Sequence, residues 1–177
     1  MDGKNKDNFK IKLTEEHTDV LNFHLLAGHP ISNKVKMISK ERALQRIAYM
    51  EEELEEYRQA IKKGDIVEAL DALVDLKYFI LGTEIEHGFH LLGKLPFEIV
   101  QHSNMSKFPL DLKTAQETQK VQNNLGVKTY IEKTETFNGS KRYVIKRLDT
   151  DKVVKGLDFR DPEENLNDLI YKFNEKL

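Results

Sequence analysis

Two pairs of acidic residues, each spaced by three positions, constrain this chain more than any other feature. Glu53 and Glu56 lie in one predicted helix, and Glu68 and Asp71 lie in the next. Residues three apart share a face of a helix, so each pair presents two carboxylates side by side. Asp75 follows the second pair one turn later. Two such helices packed antiparallel bring four or five carboxylates together, and a cluster of that size needs a cation.

The second of these helices is apolar around most of its circumference. On a helical wheel of about 100° per residue, Glu68, Asp71 and Asp75 occupy one narrow stripe, and leucine, isoleucine and valine cover most of the rest. A helix with this pattern is typically buried. We therefore expect its acids to point into a bundle or cleft, and a partner subunit to cover the apolar surface that one chain leaves open.

Glycine, proline and capping residues divide the first part of the chain into helices. Gly28 and Pro30 end a first helix, and Ser39 is suited to cap a second. Gly64 ends the second helix, and Asp65 caps the third. These signals predict an all-α helical bundle that assembles as an oligomer.

The pattern changes after Gly126. Residues 128–136 and 142–148 are rich in β-branched and aromatic side chains, with a turn at Asn138-Gly139 between them. Val153 marks a third short strand, and Pro162 suits the first turn of a final helix. This pattern predicts a small C-terminal appendage made of a β-hairpin and a helix.

These signals together give four segments. We predict a polar N-terminal segment over residues 1–13, an all-α domain over 14–108, a linker over 109–126 and a small α+β appendage over 127–177.

Composition narrows the function classes. The chain has no cysteine, which excludes thiolate nucleophiles and cysteine-based metal sites. Its formal net charge is −2, so no bias toward nucleic acid is expected, and the basic residues beside the predicted hairpin fit an exposed surface. No apolar stretch is long enough to span a membrane, and the polar N-terminus lacks the apolar run of a signal peptide. We expect a cytoplasmic protein without membrane or nucleic-acid partners.

Clustered carboxylates are ligands for hard divalent cations. Mg²⁺ prefers oxygen ligands and binds polyphosphates through them. We therefore expect Mg²⁺, with Mn²⁺ as the alternative, and a metal-dependent enzyme that acts on phosphates. Either Glu53 or Glu56 is our candidate for the carboxylate that orients or deprotonates the attacking water. For a base pocket, Phe23, His24 and His29 are candidates.

The acidic motifs also resemble those of a known superfamily. Residues 52–56 fit the pattern EExxE, and residues 68–71 fit ExxD twelve positions after Glu56. Over roughly residues 14–108 the chain resembles the all-α nucleoside triphosphate pyrophosphohydrolases, which include MazG proteins, dimeric dUTPases and phosphoribosyl-ATP pyrophosphohydrolases. The run Ser103-Asn104-Met105-Ser106-Lys107 looks like the SNMSK segment of the phosphoribosyl-ATP-pyrophosphohydrolase-like and phage MazG-like branch.

The resemblance implies a role for each motif. The metal ligands would be Glu53, Glu56, Glu68 and Asp71, with Asp75 as an accessory ligand or water-orienting group. Asn104 and Lys107 would contact the phosphates of a nucleotide substrate. Members of the superfamily cleave between the α- and β-phosphates, and they assemble as dimers or tetramers. A glycine–lysine-rich turn in the tail of such proteins has a partial counterpart in residues 151–156, to which no role can be assigned.

Three functions follow from these expectations. The first is hydrolysis of a nucleoside triphosphate to a monophosphate and pyrophosphate, as nucleotide-pool housekeeping. The second keeps the chemistry and takes phosphoribosyl-ATP as substrate. The third is a non-catalytic helical dimer that binds a nucleotide or a protein.

Several of these residues also have plain structural interpretations. Glu52 and Glu55 are expected to face solvent, as charge runs usually do. Asn104 would serve equally well as a helix C-cap. His87 and His90 have the spacing of metal ligands, but the glycine between them favours a helix end.

Overall fold

The computed structural model describes residues 13–175, and this part of the chain divides into two compact units. The first unit contains residues 13–95 and 169–175, and the second contains residues 96–168. The predicted polar segment 1–13 lies outside the described residues except for its last position. Within residues 13–175 there are six α-helices and one two-stranded antiparallel sheet, which confirms a mostly helical fold. The predicted domain limits stay predictions.

The first unit is built on three α-helices followed by a 3₁₀ helix. They are α1 (Glu15–Ala27), α2 (Lys40–Lys63), α3 (Ile66–His87) and the 3₁₀ helix Phe89–Leu92.

Local capping explains where these helices begin and end. The side chains of Thr14, Ser39 and Asp65 each accept a hydrogen bond from a backbone N–H of the following first turn. Gly64 ends α2 with a φ of 69°, a left-handed conformation that glycine adopts at little cost. Because only Gly64 and Asp65 separate α2 from α3, the two helices form a tight antiparallel hairpin, as the sequence predicts.

The second unit holds most of the remaining elements. They are α4 (Leu95–Met105), which starts at the last residue of the first unit, α5 (Leu112–Asn124), β1 (Thr129–Glu135), β2 (Lys141–Arg147) and the start of α6 (Glu163–Asn174).

The predicted hairpin is present, with Thr129 opposite Arg147 at one end of the register. The predicted third strand is wrong: Val153 makes only an isolated bridge to Lys146. The neighbouring residue Val154 still donates its backbone N–H to the carbonyl of Ile145 in β2. The extended run after the turn at residues 148–150 is too short to form a strand.

Helix α5 occupies the predicted linker, residues 109–126. Its sequence is polar and shows no clear apolar periodicity, so the sequence did not predict it. Asp111 caps the helix by accepting a hydrogen bond from the N–H of Thr114. Ala115 and Thr118, three residues apart, are its buried positions. Ala115 packs with Ile145 in the small core of this unit. The helix is therefore part of the second unit.

Helix α3 remains widely exposed along its first half. Leu70, Leu73 and Val74 are 63%, 46% and 53% exposed, and Ile66 is 80% exposed. The expectation that α3 is covered on most sides is therefore not met within one chain, because α1 and α2 are its main helical neighbours. Its coverage by a partner subunit stays a prediction. In the described part of the chain, no helix combines the length and the hydrophobicity needed to cross a membrane.

Candidate functional site

The acidic face of the α2–α3 hairpin, made of Glu53, Glu56, Asp71 and Asp75, centres on Glu53. One carboxylate oxygen of Glu53, Oε2, is buried and has no hydrogen-bond partner in the part of the chain that the structure describes. Burial raises the pKa of the Glu53 carboxyl, and the negative charges of Glu56 and Asp75 raise this pKa further, with smaller effects from Glu52 and Asp71. Carboxylates from both helices therefore lie close enough to repel Glu53.

Glu68, the remaining predicted ligand, has a different neighbour. Its Oε2 accepts a hydrogen bond from Nζ of Lys63 at 2.9 Å, across the turn of the hairpin. Both side chains are more than half exposed, so solvent screens this ion pair and it contributes little to stability. Three of the other four predicted ligands thus lie close enough to Glu53 to raise its pKa. The fourth, Glu68, is paired weakly with a lysine.

The two glutamates of residues 52–56 that are not predicted ligands face solvent, as predicted. Glu52 and Glu55 are both exposed. Glu55 accepts hydrogen bonds from Arg58 and Gln59 on the next turn of α2. Those bonds lower the pKa of Glu55, whereas the pKa of Glu53 is raised. The two faces of one helix turn therefore hold carboxylates in opposite electrostatic environments.

The acidic face fits a hard divalent cation in its chemistry. It offers only carboxylate oxygens, the ligand type that Mg²⁺ prefers, and the unpartnered Oε2 of Glu53 is an acceptor in need of a positive charge. Among the described residues, however, no three His, Asp or Glu side chains converge closely enough to form a complete ligand set. The fit therefore concerns donor type and charge, and the bound geometry would require rotation of these exposed side chains.

The SNMSK segment forms the end of α4 and the turn after it, in the second unit. Nζ of Lys107 donates to Oδ1 of Asn104 at 2.8 Å, so the two predicted phosphate contacts touch each other. Oγ of Ser106 donates to the carbonyl of Ser103 at 2.7 Å and accepts from the backbone N–H of Arg160 at 2.9 Å. The segment is thus a compact turn held in place by a distant part of the chain.

A buried ion-pair network that the sequence did not reveal supports the first unit. The Glu86 side chain is fully buried and accepts two hydrogen bonds from Arg42, at 2.7 Å and 2.6 Å. Arg46 lies 3.6 Å from the same carboxylate and donates to the carbonyl of Phe79 at 2.6 Å. The i, i+4 spacing of Arg42 and Arg46 on α2 is the one signal in the sequence that could have suggested this network.

Gly82 allows this network to pack against α3. A Cβ at this position would lie 2.6 Å from Nη2 of Arg46 and 2.8 Å from Nε2 of His24. Both distances are far below van der Waals contact, so only glycine lets the arginine and the histidine approach the helix backbone so closely.

The histidines of the first unit have structural contacts. His24 and His90 are both buried, and burial lowers the pKa of each. His87 shares a 3.0 Å hydrogen bond with the carbonyl of Lys36, in agreement with its interpretation as part of a helix end.

The three candidates for a base pocket do come together. Ring centroids of Phe23 and His24 lie 5.9 Å and 5.3 Å from that of His29, and Phe23 also meets Tyr78 edge to face at 5.7 Å. Phe23 is 48% exposed, so this aromatic group presents a partly open surface. A role in base binding stays a prediction.

A helical hairpin with paired acids on both arms is the architecture that the sequence resemblance implies, that of an all-α nucleoside triphosphate pyrophosphohydrolase domain. Residues 20–104 match the family model of phosphoribosyl-ATP pyrophosphohydrolase, a member of this superfamily. The match confirms the resemblance and indicates a pyrophosphohydrolase domain.

The matched segment is slightly less than half of the chain. It includes the whole α2–α3 hairpin and Asn104, and it stops before Lys107 and the hairpin appendage. The comparison with curated proteins gives no match.

Proposed function

We propose that this protein hydrolyses a nucleoside triphosphate at the α–β phosphoanhydride in a Mg²⁺-dependent reaction, giving a nucleoside monophosphate and pyrophosphate. The observation that carries this proposal is the environment of Glu53: a buried, unpartnered carboxylate oxygen among acids of two helices. Proteins do not maintain such an arrangement for stability, because an unpaired buried charge is costly. A divalent cation held by these carboxylates would compensate the charge.

The ligands of Mg²⁺, or of Mn²⁺ as the alternative, would be the five predicted carboxylates: Glu53, Glu56, Glu68, Asp71 and Asp75. When bound, the ion supplies charge neutralisation at the phosphates and a lowered pKa of coordinated water. Recruiting Glu68 requires only that its exposed ion pair with Lys63 be broken.

The protein's own groups position the water and the phosphates. Glu53 or Glu56 accepts the proton of the attacking water, and the raised pKa of Glu53 suits that role. The water oxygen bonds to the α-phosphorus, and the bond from this phosphorus to the bridging oxygen breaks, leaving the electron pair on pyrophosphate. Lys107 supplies positive charge to the phosphates, and Asn104 supplies a hydrogen bond.

The exposed apolar surface of α3 supports a homodimer or homotetramer as the active form. Leu70, Leu73 and Val74 lie on the same helix as Asp71 and are about half exposed or more. A second copy of the chain would bury this surface and remove water from the neighbourhood of the carboxylates.

Phosphoribosyl-ATP is the second candidate substrate, and the family match supports it equally. Its hydrolysis breaks the same kind of phosphoanhydride with the same residues. Growth of a strain that lacks phosphoribosyl-ATP pyrophosphohydrolase, restored by this chain, would favour the second substrate over the first.

The deciding experiment measures pyrophosphate release from a panel of nucleoside triphosphates and from phosphoribosyl-ATP, with Mg²⁺ present. The test variant is Glu53→Gln and the matched control is Glu55→Gln, which removes the same charge from the solvent side of the same helix turn. We expect release by the wild type and the control, and a loss of about 10²-fold or more in the test variant. No release from any substrate would favour a non-catalytic helical dimer that binds a nucleotide or a protein.

A further inference from the structure

Two lysines far apart in the sequence share one aromatic ring in the second unit. Nζ of Lys155 lies 4.2 Å from the ring centroid of Phe159, and Nζ of Lys107 lies 6.0 Å from the same centroid. An ammonium group at such a distance is attracted by the electron-rich face of the ring. Phe159 therefore holds two positive charges in one neighbourhood.

The segment that carries Lys155 and Phe159 is fixed against the SNMSK turn. The backbone N–H of Arg160 donates to Oγ of Ser106 at 2.9 Å, and the N–H of Leu157 donates to Oγ1 of Thr118 at 3.2 Å. These bonds anchor the segment on both sides of Phe159. The position of Lys155 beside Lys107 is thus a product of the fold of this unit.

Among the described residues, the ion pair recorded for these two ammonium groups is a weak one. Lys107 donates to Asn104, whose amide oxygen is neutral. Lys155 has Asp161 at 4.0 Å, the limit of an ion pair, and both of these side chains are more than 60% exposed. Such a pair is mostly screened by solvent. Both ammonium groups therefore remain able to donate hydrogen bonds to an anion.

We propose that Lys155 is a second phosphate-binding residue, which contacts the polyphosphate of the substrate, or the pyrophosphate product, together with Lys107. An ammonium group is a compact charge with three rotatable donors, which suits a phosphate oxygen. Phe159 acts as a positioning residue that keeps the two lysines together. The inference rests on the proposed function, because that proposal gives Lys107 its role at the phosphates.

The test compares Lys155→Ala with Lys152→Ala and Lys155→Arg in the full-length protein. Lys152 is an exposed lysine three residues earlier, so its replacement removes the same charge away from Phe159. Two quantities are measured with Mg²⁺ present: the affinity for inorganic pyrophosphate by calorimetry, and kcat and KM for pyrophosphate release.

Loss of a charged hydrogen bond at an exposed site predicts that Lys155→Ala binds pyrophosphate about tenfold more weakly. Its KM should rise by a similar factor at a nearly unchanged kcat, and the salt dependence of pyrophosphate binding should decrease. Lys155→Arg should stay within about threefold of the wild type, since it keeps the charge. A merely structural lysine would lower the melting temperature and leave the salt dependence as it is.

Equal pyrophosphate affinity and equal KM in Lys155→Ala and Lys152→Ala would overturn the inference, as would a wild type that does not bind pyrophosphate. Failure of the proposed function gives a different result. In that case the wild type releases no pyrophosphate from any substrate, yet the binding measurement still compares Lys155→Ala with its control.

Discussion

Replacing Glu53 by glutamine should make the metal-free protein more stable while destroying the proposed activity. The substitution keeps the shape of the side chain and removes its charge. Glu53 faces Glu56 on its own helix and Asp71 and Asp75 on the neighbouring one. Each like-charge contact of this type costs about 0.2–0.5 kcal/mol, so the three together cost about 1 kcal/mol.

The sign follows from the direction of the pKa shift. Because the pKa of Glu53 is raised in the folded protein, this carboxyl holds its proton more tightly there than in the unfolded chain. Ionised Glu53 therefore lowers stability at neutral pH, and the penalty disappears as the pH falls through the folded-state pKa. Glutamine removes the penalty at every pH.

The assay is thermal unfolding, first with a chelator and then along a titration with Mg²⁺. For a chain of this length, about 1 kcal/mol corresponds to a rise of about 2–4 °C in Tm, so Glu53→Gln should melt above the wild type in chelator. Mg²⁺ at about a hundred times its Kd would stabilise the wild type by about 2.7 kcal/mol and reverse this order. Glu55→Gln should follow the wild type throughout.

The opposite pattern would refute this reasoning. If Glu53→Gln melts below the wild type in chelator, the carboxylate stabilises the fold, and the repulsion described here does not dominate. If Mg²⁺ raises the Tm of both proteins equally, the acidic face is not where the ion binds.

Three further outcomes concern the interior of the first unit. Glu86→Ala should cost about 3–5 kcal/mol in urea unfolding, because Arg46, with a side chain only 5% exposed, keeps a charge that this carboxylate no longer offsets. Glu16→Ala removes an exposed ion pair and should leave the free energy of unfolding nearly unchanged. Burial lowers the pKa of His24 from its ordinary 6.5, so the unfolded chain takes up a proton first, and stability should fall as the pH drops below about 6.5. His24→Gln should weaken this acid dependence in unfolding curves recorded across that range. Gly82→Ala should destabilise the protein, because its Cβ would meet two buried side chains. In a helix interior without such contacts, replacing glycine by alanine normally stabilises by about 1 kcal/mol. Unchanged or increased stability would contradict the packing described.

Features set by near neighbours in the sequence were predictable. The caps at Ser39 and Asp65, the turn at Gly64 and the shared faces of the acidic pairs depend on residues within one or two turns. The family motifs fall in the same class, because their spacing is carried by two adjacent helices. The helical fold and the class of protein followed from these features.

Features that depend on distant partners were not predictable from the pattern. In the sequence, Glu86 is one of several glutamates near a helix end. Its ion pairs with Arg42 and Arg46 of α2 form only in the folded protein.

Weak periodicity was a separate cause of error. Helix α5 has only Ala115 and Thr118 as buried positions, which is too small an apolar stripe for a polar segment to reveal. Lys155 had no assignable role because the partners that give it one, Phe159 and Lys107, meet it only after folding.

Lys107 and Lys155 both lie beside Phe159, so the two ends of the segment 108–154 are close together. This segment contains the hairpin turn, where Phe137 is fully exposed. Residues inserted at an exposed loop tip of this kind should not change the distance between the two ends of the segment. The turn at Asn138-Gly139 is therefore a natural position for a fluorescent label or an affinity tag that leaves the lysine cluster undisturbed.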